Sequence, residues 1–246
     1  MAIGFFKNIP NIAYDFKSDG KYYKAKDLFR KVGVWSYLQE NITGYEYYRI
    51  KDGERPDVTA ARLYGDSTLY WTFFLVNENL QDLNDWPKSN RLFNRYINRK
   101  YSGICLSASS STDIVSFNHD TNTSSKFLLG EKVSQSDDIY GYVTEVNPTF
   151  NRITLNSVLG VFTNNSTVTG ADSGKSFTIS STVNEFDVVN HYVDSENLRT
   201  TISLTNEPVT NIQHERNLNE DKHIIRYIKP GFIEQVVSEF KEIVSQ

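Results

Sequence analysis

The amino-acid sequence predicts an α+β fold in which a small all-β module is inserted between two mixed parts. Three observations predict it. Residues 1–104 contain a strand–helix–helix pattern whose core lies at about residues 45–88. Residues 105–184 are rich in Ser, Thr, Asn and Gly, and their short alternating patterns are typical of a barrel-like β module. Residues 185–246 combine strand patterns, which we interpret as a hairpin, with one amphipathic helix.

Composition narrows the class of protein before any motif is considered. The 246 residues are 39% hydrophobic and 23% charged, with a mean hydropathy of -0.47, which is typical of globular domains. The longest strongly apolar run, residues 69–76, is far shorter than the roughly 20 residues of a membrane-spanning helix, so we expect no membrane partner. Residues 1–7 lack the pattern of a secretory signal. The single cysteine, Cys105, excludes an intramolecular disulfide, and a net charge of -4 argues against nucleic acid as a partner.

The first part begins with strand and turn signals. Alternation over residues 12–16 predicts a short strand, and residues 18–20 predict the turn that follows it. Residues 26–32 predict one or two helical turns. Residues 45–50 predict a second strand, which ends before Gly53.

Capping residues then define three helices. Pro56 suits the first position of a helix, where its missing N–H is not needed, and Gly65 closes that helix in the left-handed conformation. Asp66 predicts the N-cap of a second helix over residues 67–76. This helix is apolar on every face, so we expect it to be buried. A third helix is predicted over residues 89–101.

The middle part reads as a series of short strands. Residues 107–112 have a flexible-linker composition, and we place the domain boundary there. Residues 140–146 and 152–157 alternate and flank a turn at Asn147-Pro148, so they predict a β-hairpin. Further short strands are predicted at residues 161–162, at Val168 and at residues 177–183.

The last part ends in the clearest helix of the sequence. Residues 217–221 are polar and predict a turn, and residues 223–228 predict a strand. Apolar residues then recur with a period of 3.6 over residues 232–244. We expect this apolar stripe to contact a partner, with an internal core contact as an equally weighted alternative. Its candidate interface residues are Phe232, Val236, Phe240 and Ile243.

No constellation in the sequence predicts catalysis or ligand binding. The stretch from Gly170 to Ser176 resembles a phosphate-binding loop, but three residues lie between its glycines where that loop has four. A strand pattern follows, so a β-turn is predicted. Carboxylate pairs such as Glu54 with Asp57 are weak evidence for a hydrolase. The histidines lack metal-binding spacing, and we interpret them as solvated or packed single histidines and not as metal ligands. We therefore predict no catalytic residue, no cofactor and no metal site. The four histidines are His119, His191, His214 and His223.

The strand–helix–helix unit resembles a LysM-type module. Its opening pattern matches Tyr48, Ile50 and Gly53, its first helix ends in Tyr64-Gly65, and an Asn-bearing loop at residues 77–79 follows the second helix. Two features differ from sugar-binding LysM modules. The turn reads Gly53-Glu54-Arg55-Pro56, and Trp86-Pro87 with a helical pattern replaces the closing strand. Glycan is therefore not the expected ligand, although peptidoglycan binding remains the alternative.

A wider resemblance covers about residues 5–104 and 185–246. The segment that runs from Arg55-Pro56 through Leu63-Tyr64-Gly65-Asp66 and Leu69-Tyr70-Trp71 to Asn77-Glu78-Asn79 resembles the LysM-like baseplate wedge proteins of T-even-like contractile-tailed phages, the myoviruses. Flanking segments at residues 14–16, 27–30, 40–42, 209–212, 219–222 and 228–230 are similar to the same family.

This resemblance implies a structural subunit of the virion that is not an enzyme. The resemblance implies binding to other baseplate wedge proteins, a position near the sheath initiator as a candidate partner, and a role in joining adjacent wedges around the tail tube in a six-fold assembly. The expected location is the tail baseplate, after assembly in the cytoplasm of the host bacterium. We also expect the aromatic N-terminal residues Phe5, Phe6, Tyr14 and Phe16 to stay exposed until partners bind.

The resemblance also implies which residues of the LysM-like motif form an interface. A glycan-binding module and a cell-wall hydrolase remain the competing hypotheses, the second on generic carboxylates alone. The motif and probable interface residues are Tyr48, Ile50, Gly53, Arg55, Pro56, Tyr64, Gly65, Trp71, Asn77 and Trp86.

Overall fold

A computed structural model describes residues 10–27, 44–118, 122–203 and 205–245. The chain divides into two compact units: unit 1 is Met1–Arg91 with Leu218–Gln246, and unit 2 is Leu92–Asn217. Both contain helices and strands, which confirms the mixed α and β composition expected from the sequence. Within the described ranges, no helix has the length and apolar character that a membrane crossing requires.

The elements are numbered here in chain order. They begin with β1 (Asn11–Tyr14), β2 (Tyr23–Lys26), β3 (Tyr45–Arg49), α1 (Pro56–Tyr64), a 3-10 turn (Ser67–Tyr70), α2 (Trp71–Val76), α3 (Asn90–Lys100), β4 (Ile104–Ser107), α4 (Ser111–Ile114), β5 (Val115–Asn118) and β6 (Asn122–Ser125). They continue with β7 (Lys132–Ser136), β8 (Ile139–Asn147), β9 (Arg152–Leu159), β10 (Thr167–Gly170), β11 (Ser176–Thr178), β12 (Ser181–Asn184), a 3-10 turn (Glu185–Asp187), β13 (Val189–Val193), β14 (Arg199–Thr200), β15 (Glu207–Thr210), α5 (Asn211–Asp221), β16 (Ile224–Ile228) and α6 (Pro230–Ser245).

Unit 1 begins with a hairpin in which β1 pairs antiparallel with β2. In its loop, the Asp15 carboxylate accepts hydrogen bonds from the backbone N–H groups of Lys17 and Gly20. The predicted strand and turn are therefore confirmed. Lys26, where helical turns were expected to begin, instead ends β2. The rest of that prediction, residues 28–32, lies outside the described residues.

The second sheet of unit 1 joins distant parts of the sequence. β3 pairs antiparallel with β16, with Tyr48 opposite Ile225. Both strands were predicted, but the pairing was not. The C-terminal strand was interpreted as part of a local hairpin, and that interpretation is wrong for β16.

The predicted capping residues act as expected. Pro56 is the first residue of α1, and Gly65 ends that helix at a φ of 75°, where its N–H donates to the Ala61 carbonyl. The Asp66 carboxylate accepts a hydrogen bond from the backbone N–H of Thr68. The segment after it is a 3-10 turn followed by α2, and not one continuous helix.

Apolar side chains of both helices pack on the β3–β16 sheet. Phe73 of α2 is fully buried and lies 5.8 Å from Trp86 between ring centroids. The core of unit 1 therefore includes the predicted all-apolar helix. The buried members of this cluster are Ile50, Ala60, Phe73, Leu80, Trp86 and Ile225.

Unit 2 is organised around a seven-stranded antiparallel sheet of order β11-β10-β7-β8-β9-β4-β12. The predicted β8–β9 hairpin is confirmed, with Asn147 opposite Arg152 at its turn. The glycine-rich stretch joins β10 to β11 and is the predicted turn. A separate three-stranded sheet has the order β14-β13-β15.

Three local predictions in unit 2 are wrong. Ser107, the start of the supposed linker, ends β4, and residues 111–114 form α4. Residues 161–162 are not a strand; Phe162 is buried in a loop, where apolar contact holds it. Residues 177–183 were predicted as one strand, but β11 and β12 divide them because the chain turns between them.

The polar turn predicted over residues 217–221 is also wrong, because these residues end helix α5. The sequence signal for this helix is a capping box formed by Thr210 and Gln213, which the turn prediction overlooked. The Gln213 side chain accepts from the Thr210 N–H at 2.8 Å, and the Gln213 N–H donates to the Thr210 hydroxyl at 3.3 Å.

A buried carboxylate links α3 to α5 within unit 2. Glu215 accepts hydrogen bonds from Lys100 Nζ at 2.6 Å and from the Tyr101 and Tyr96 hydroxyls at 2.8 and 3.1 Å. Burial raises the pKa of Glu215, but hydrogen bonds from Lys100 and Tyr101 outweigh it and lower the pKa overall. The carboxylate is therefore charged and fully used in joining the two helices.

The division of the chain into parts at residues 104 and 184 stays a prediction. The seven-stranded sheet uses strands from Ile104 to Asn184, whereas the boundaries between the compact units fall within α3 and α5.

We expect Ile153→Ala to destabilise unit 2 by about 2–5 kcal/mol, because Ile153 is fully buried in the sheet and its truncation leaves a cavity. Chemical denaturation followed by circular dichroism measures this change. Val161→Ala, at a side chain that is 75% exposed, is the control and should change the free energy of unfolding by less than about 0.5 kcal/mol. Equal effects of the two changes would contradict the assigned core.

Candidate partner-binding surfaces

The turn after β3 is closed by a cluster of three polar side chains. The Tyr48 hydroxyl donates to Glu54 at 2.9 Å and accepts from Arg62 at 2.6 Å. Arg62 also forms an ion pair with Glu54 at 2.8 Å, and the Glu54 side chain is almost fully buried. Burial, followed by the hydrogen bond to Glu54, raises the pKa of Tyr48. Gly53 adopts a φ of 73° in this turn, a conformation that favours glycine.

Trp86 holds the same turn from the other side. Its indole Nε1–H donates to the Glu54 carbonyl at 2.8 Å, and its ring lies 6.0 Å from Phe74. The residue that departs from the sugar-binding LysM pattern is therefore a buried part of the core.

Asn77 joins α2 to the sheet. Its side-chain N–H groups donate to the carbonyls of Phe73 and Arg226, both at 2.8 Å, and its carbonyl accepts the Arg226 N–H at 2.8 Å. Next to it, the Tyr64 hydroxyl accepts the Ile228 N–H at 3.2 Å. Burial raises the pKa of Tyr64 to about 12. Both side chains therefore act as structural links to β16.

The C-terminal helix α6 packs against the rest of unit 1 through two residues of its predicted stripe, Val236 and Phe240. Phe240 lies 4.5 Å from Trp71 between ring centroids, and Val236 is buried in a cluster with Ile228. Phe232 is 48% exposed. The side chain of Ile243 lies outside the described residues.

Six of the fourteen predicted interface residues are internal in this structure. Ile50, Trp71, Asn77 and Trp86 are buried, and Val236 and Phe240 are buried with them. Their role as an interface remains an untested prediction. Three more are half-buried, namely Tyr48, Pro56 and Tyr64, and the exposed ones are Gly53, Arg55, Gly65 and Phe232.

The β1–β2 hairpin presents an exposed aromatic cluster. Phe16 is 63% exposed, and its ring lies 5.0 Å from Tyr14 and 6.4 Å from Tyr23. Tyr22 is 71% exposed. Tyr14 and Phe16 were expected to be exposed. The strand that begins at Tyr23 and the exposure of Tyr22 and Tyr23 were not predicted, although residues 23–26 alternate as a strand does. The other two expected residues, Phe5 and Phe6, lie outside the described residues.

Groups that bind metals are not assembled in the part of the chain that the structure describes. No cluster of three or more His, Cys, Asp and Glu side chains occurs there. His191 and His214 pack edge to face, with ring centroids 5.3 Å apart. Burial, followed by the charges of His214 and Arg199, lowers the pKa of His191.

Comparison with known proteins identifies the family. A family model described as base plate wedge protein 53 matches residues 1–144, which include the hairpin, β3 and helices α1 to α3. The chain belongs to this family of phage base plate wedge proteins. The resemblance to the baseplate wedge proteins of T-even-like phages is thereby confirmed.

A named relative gives the same result for the wedge-protein family. Baseplate wedge protein gp53 of Enterobacteria phage T4 is 26% identical over 106 residues, which is 42% of this chain and 53% of the relative. The chain therefore spans about half the length of the curated relative it matches.

We expect Asn77→Ala to lower the free energy of unfolding by about 2–4 kcal/mol, because it leaves buried backbone groups of Phe73 and Arg226 without partners. Asn79→Ala, at an exposed neighbour, is the matched control and should be near neutral. Thermal and chemical unfolding of both variants would measure the difference. Similar stability of the two would show that Asn77 is not a link between helix and sheet.

Tyr64 predicts a loss of stability at alkaline pH. The pKa of the Tyr64 hydroxyl is about 12 in the folded protein, whereas its ordinary value is 10.0. The stabilisation that the protonated hydroxyl contributes is therefore complete below pH 10 and is lost as pH rises through 12. The wild type should lose about 2–3 kcal/mol over this window relative to Tyr64→Phe. Denaturant titrations at several pH values measure it, and parallel pH profiles of the two proteins would contradict it.

Proposed function

We propose that this chain is a structural, non-enzymatic subunit of a phage tail baseplate wedge. The observation that carries the proposal is the family match over residues 1–144. The function then lies in surfaces that bind other chains, and the virion baseplate is the corresponding location. The chain's exposed aromatic residues support this proposal, because such residues are enriched at the centres of protein interfaces.

The β1–β2 hairpin is the proposed docking surface within the matched segment. An isolated two-stranded hairpin is marginally stable in water, yet this one exposes Tyr14, Phe16, Tyr22 and Tyr23. Their aromatic area is available for burial against another wedge protein, which would stabilise the hairpin at the same time.

The finer features of the family are proposed on the same basis. The chain would join adjacent wedges around the tail tube in a six-fold assembly, contact the sheath initiator, and assemble in the cytoplasm of the host bacterium. We also propose that β3, α1, α2 and β16 form a LysM-like module. The two helices lie between two strands that pair antiparallel, and this order supports the likeness although β16 is remote in sequence.

Co-expression with the neighbouring wedge proteins of the same phage tests the proposal. We expect the full chain to elute with them as one complex in size-exclusion chromatography with light scattering. The double variant Phe16→Ser, Tyr22→Ser should weaken that association at least tenfold, because it removes the largest exposed aromatic surface of the hairpin.

The control for this experiment is Leu129→Ser, at a side chain of similar exposure in unit 2, which should leave association unchanged. Failure of the wild type to associate with folded wedge proteins would contradict the structural role. Binding of peptidoglycan fragments or chitin oligomers by such a chain would instead favour the LysM-type glycan module.

A further inference from the structure

The two edges of the β3–β16 sheet differ in their free backbone groups. The Ile50 N–H donates to the His223 carbonyl, and the Lys229 N–H donates to the Gly44 carbonyl. In an antiparallel pair, hydrogen-bonded and non-hydrogen-bonded positions alternate. The backbone N–H and C=O groups of Tyr45, Tyr47 and Arg49 therefore point away from β16. Those of Ile224, Arg226 and Ile228 point away from β3.

The outer edge of β16 is largely occupied by side chains. Asn77 takes both the N–H and the C=O of Arg226, and Tyr64 takes the N–H of Ile228. These bonds replace the contacts that an added strand would make. A further strand consequently cannot pair along β16 without displacing buried side chains.

The outer edge of β3 has no such cover among the described residues. No described group bonds to the outward N–H or C=O of Tyr45, Tyr47 or Arg49. The Tyr47 side chain is 73% exposed. Aromatic residues favour strand pairing, and the edge lacks the proline residues that natural proteins use to block it. β3 is therefore open to a third strand.

The excess of positive charge around this edge indicates the charge of the partner. The sheet segments 44–51 and 223–229 carry one carboxylate, Glu46, against four cations. Glu46 is already bonded to the Tyr227 hydroxyl. At its end, β3 enters a cleft of about 490 Å³ that also contains Asp52, Lys88, Glu220 and His223. The four cations are Arg49, Lys51, Arg226 and Lys229.

Among the described residues, Arg49 is the one of these four cations that has a carboxylate partner. Arg49 forms an exposed ion pair with Glu220 at 3.4 Å. Arg226, opposite Tyr47 in the register, and Lys51 have no carboxylate within ion-pair distance in the described ranges. An acidic segment matches this distribution better than a neutral or basic one.

We propose that β3 accepts an extended, acidic segment of another wedge protein as a third strand, through the outward backbone groups of Tyr45, Tyr47 and Arg49. The inference rests on the proposed function for the identity of the partner. Main-chain hydrogen bonds would supply affinity, and Arg226 and Lys51 would supply the preference for acidic residues.

The substitution Tyr47→Pro tests strand addition at this edge most directly. Proline removes only an N–H that points away from β16, so the fold should tolerate it as edge strands do. The same change removes a donor and blocks an added strand. We expect a thermal midpoint close to that of Tyr47→Ala and at least a tenfold loss of association with co-expressed wedge proteins. Tyr47→Ala, which keeps the N–H, should lose much less.

Two outcomes separate this inference from the proposed function. If the wild type does not associate with the wedge proteins, the proposed function fails. If the wild type and Tyr47→Pro associate equally, only the strand-addition proposal is overturned. Arg226→Gln should weaken association at least threefold at low ionic strength, and an unchanged affinity would overturn the acidic identity of the segment.

Amide hydrogen exchange tests the edge without any substitution. In the isolated full chain, the amides of Tyr45, Tyr47 and Arg49 should exchange quickly, whereas those of Glu46 and Tyr48 should be protected by β16. On complex formation the first three should become protected. Slow exchange before the partner is added, or fast exchange in the complex, would overturn the proposal.

Discussion

The pairing of β3 with β16 is the interaction on which unit 1 depends. It brings residues 45–49 against residues 224–228, so the chain must close a long loop before these contacts form. Buried apolar residues compensate for that loss of chain entropy, with Ile225 and Phe73 fully buried in the same cluster. Asn77 then joins α2 to the sheet at Arg226. Helices α1 and α2 would otherwise lack the surface that they cover.

Local signals in the sequence predicted local structure well. Proline at the first helical position and glycine in the left-handed conformation are fixed by backbone sterics, so Pro56 and Gly65 identified the ends of α1. Asp66 identified the start of the helical segment after α1, because its carboxylate accepts a hydrogen bond from the nearby Thr68 N–H. The β8–β9 hairpin followed from alternation on either side of a turn. These features depend on neighbours within a few residues, which the sequence displays directly.

Tertiary features were not predictable from the same signals. Nothing local to residues 223–228 indicates that their strand pairs with β3. The candidate interface was also chosen from motif residues such as Trp71 and Trp86, whose burial depends on elements distant in sequence. Four of the exposed aromatic side chains instead cluster on the hairpin that carries Phe16. The missed capping box at Thr210 and Gln213 is different, because that signal was local and could have been found.

The origin of β16 near the end of the chain also sets an order of events during synthesis. The ribosome completes the seven-stranded sheet of unit 2, which ends at Asn184, before it makes residues 224–228. That sheet can therefore fold while β3 has no partner strand, since domains generally fold as their segments emerge. Unit 1 is completed only when the C-terminal residues leave the exit tunnel. A prematurely terminated chain would thus expose the apolar surface of α2 and become a substrate for proteolysis.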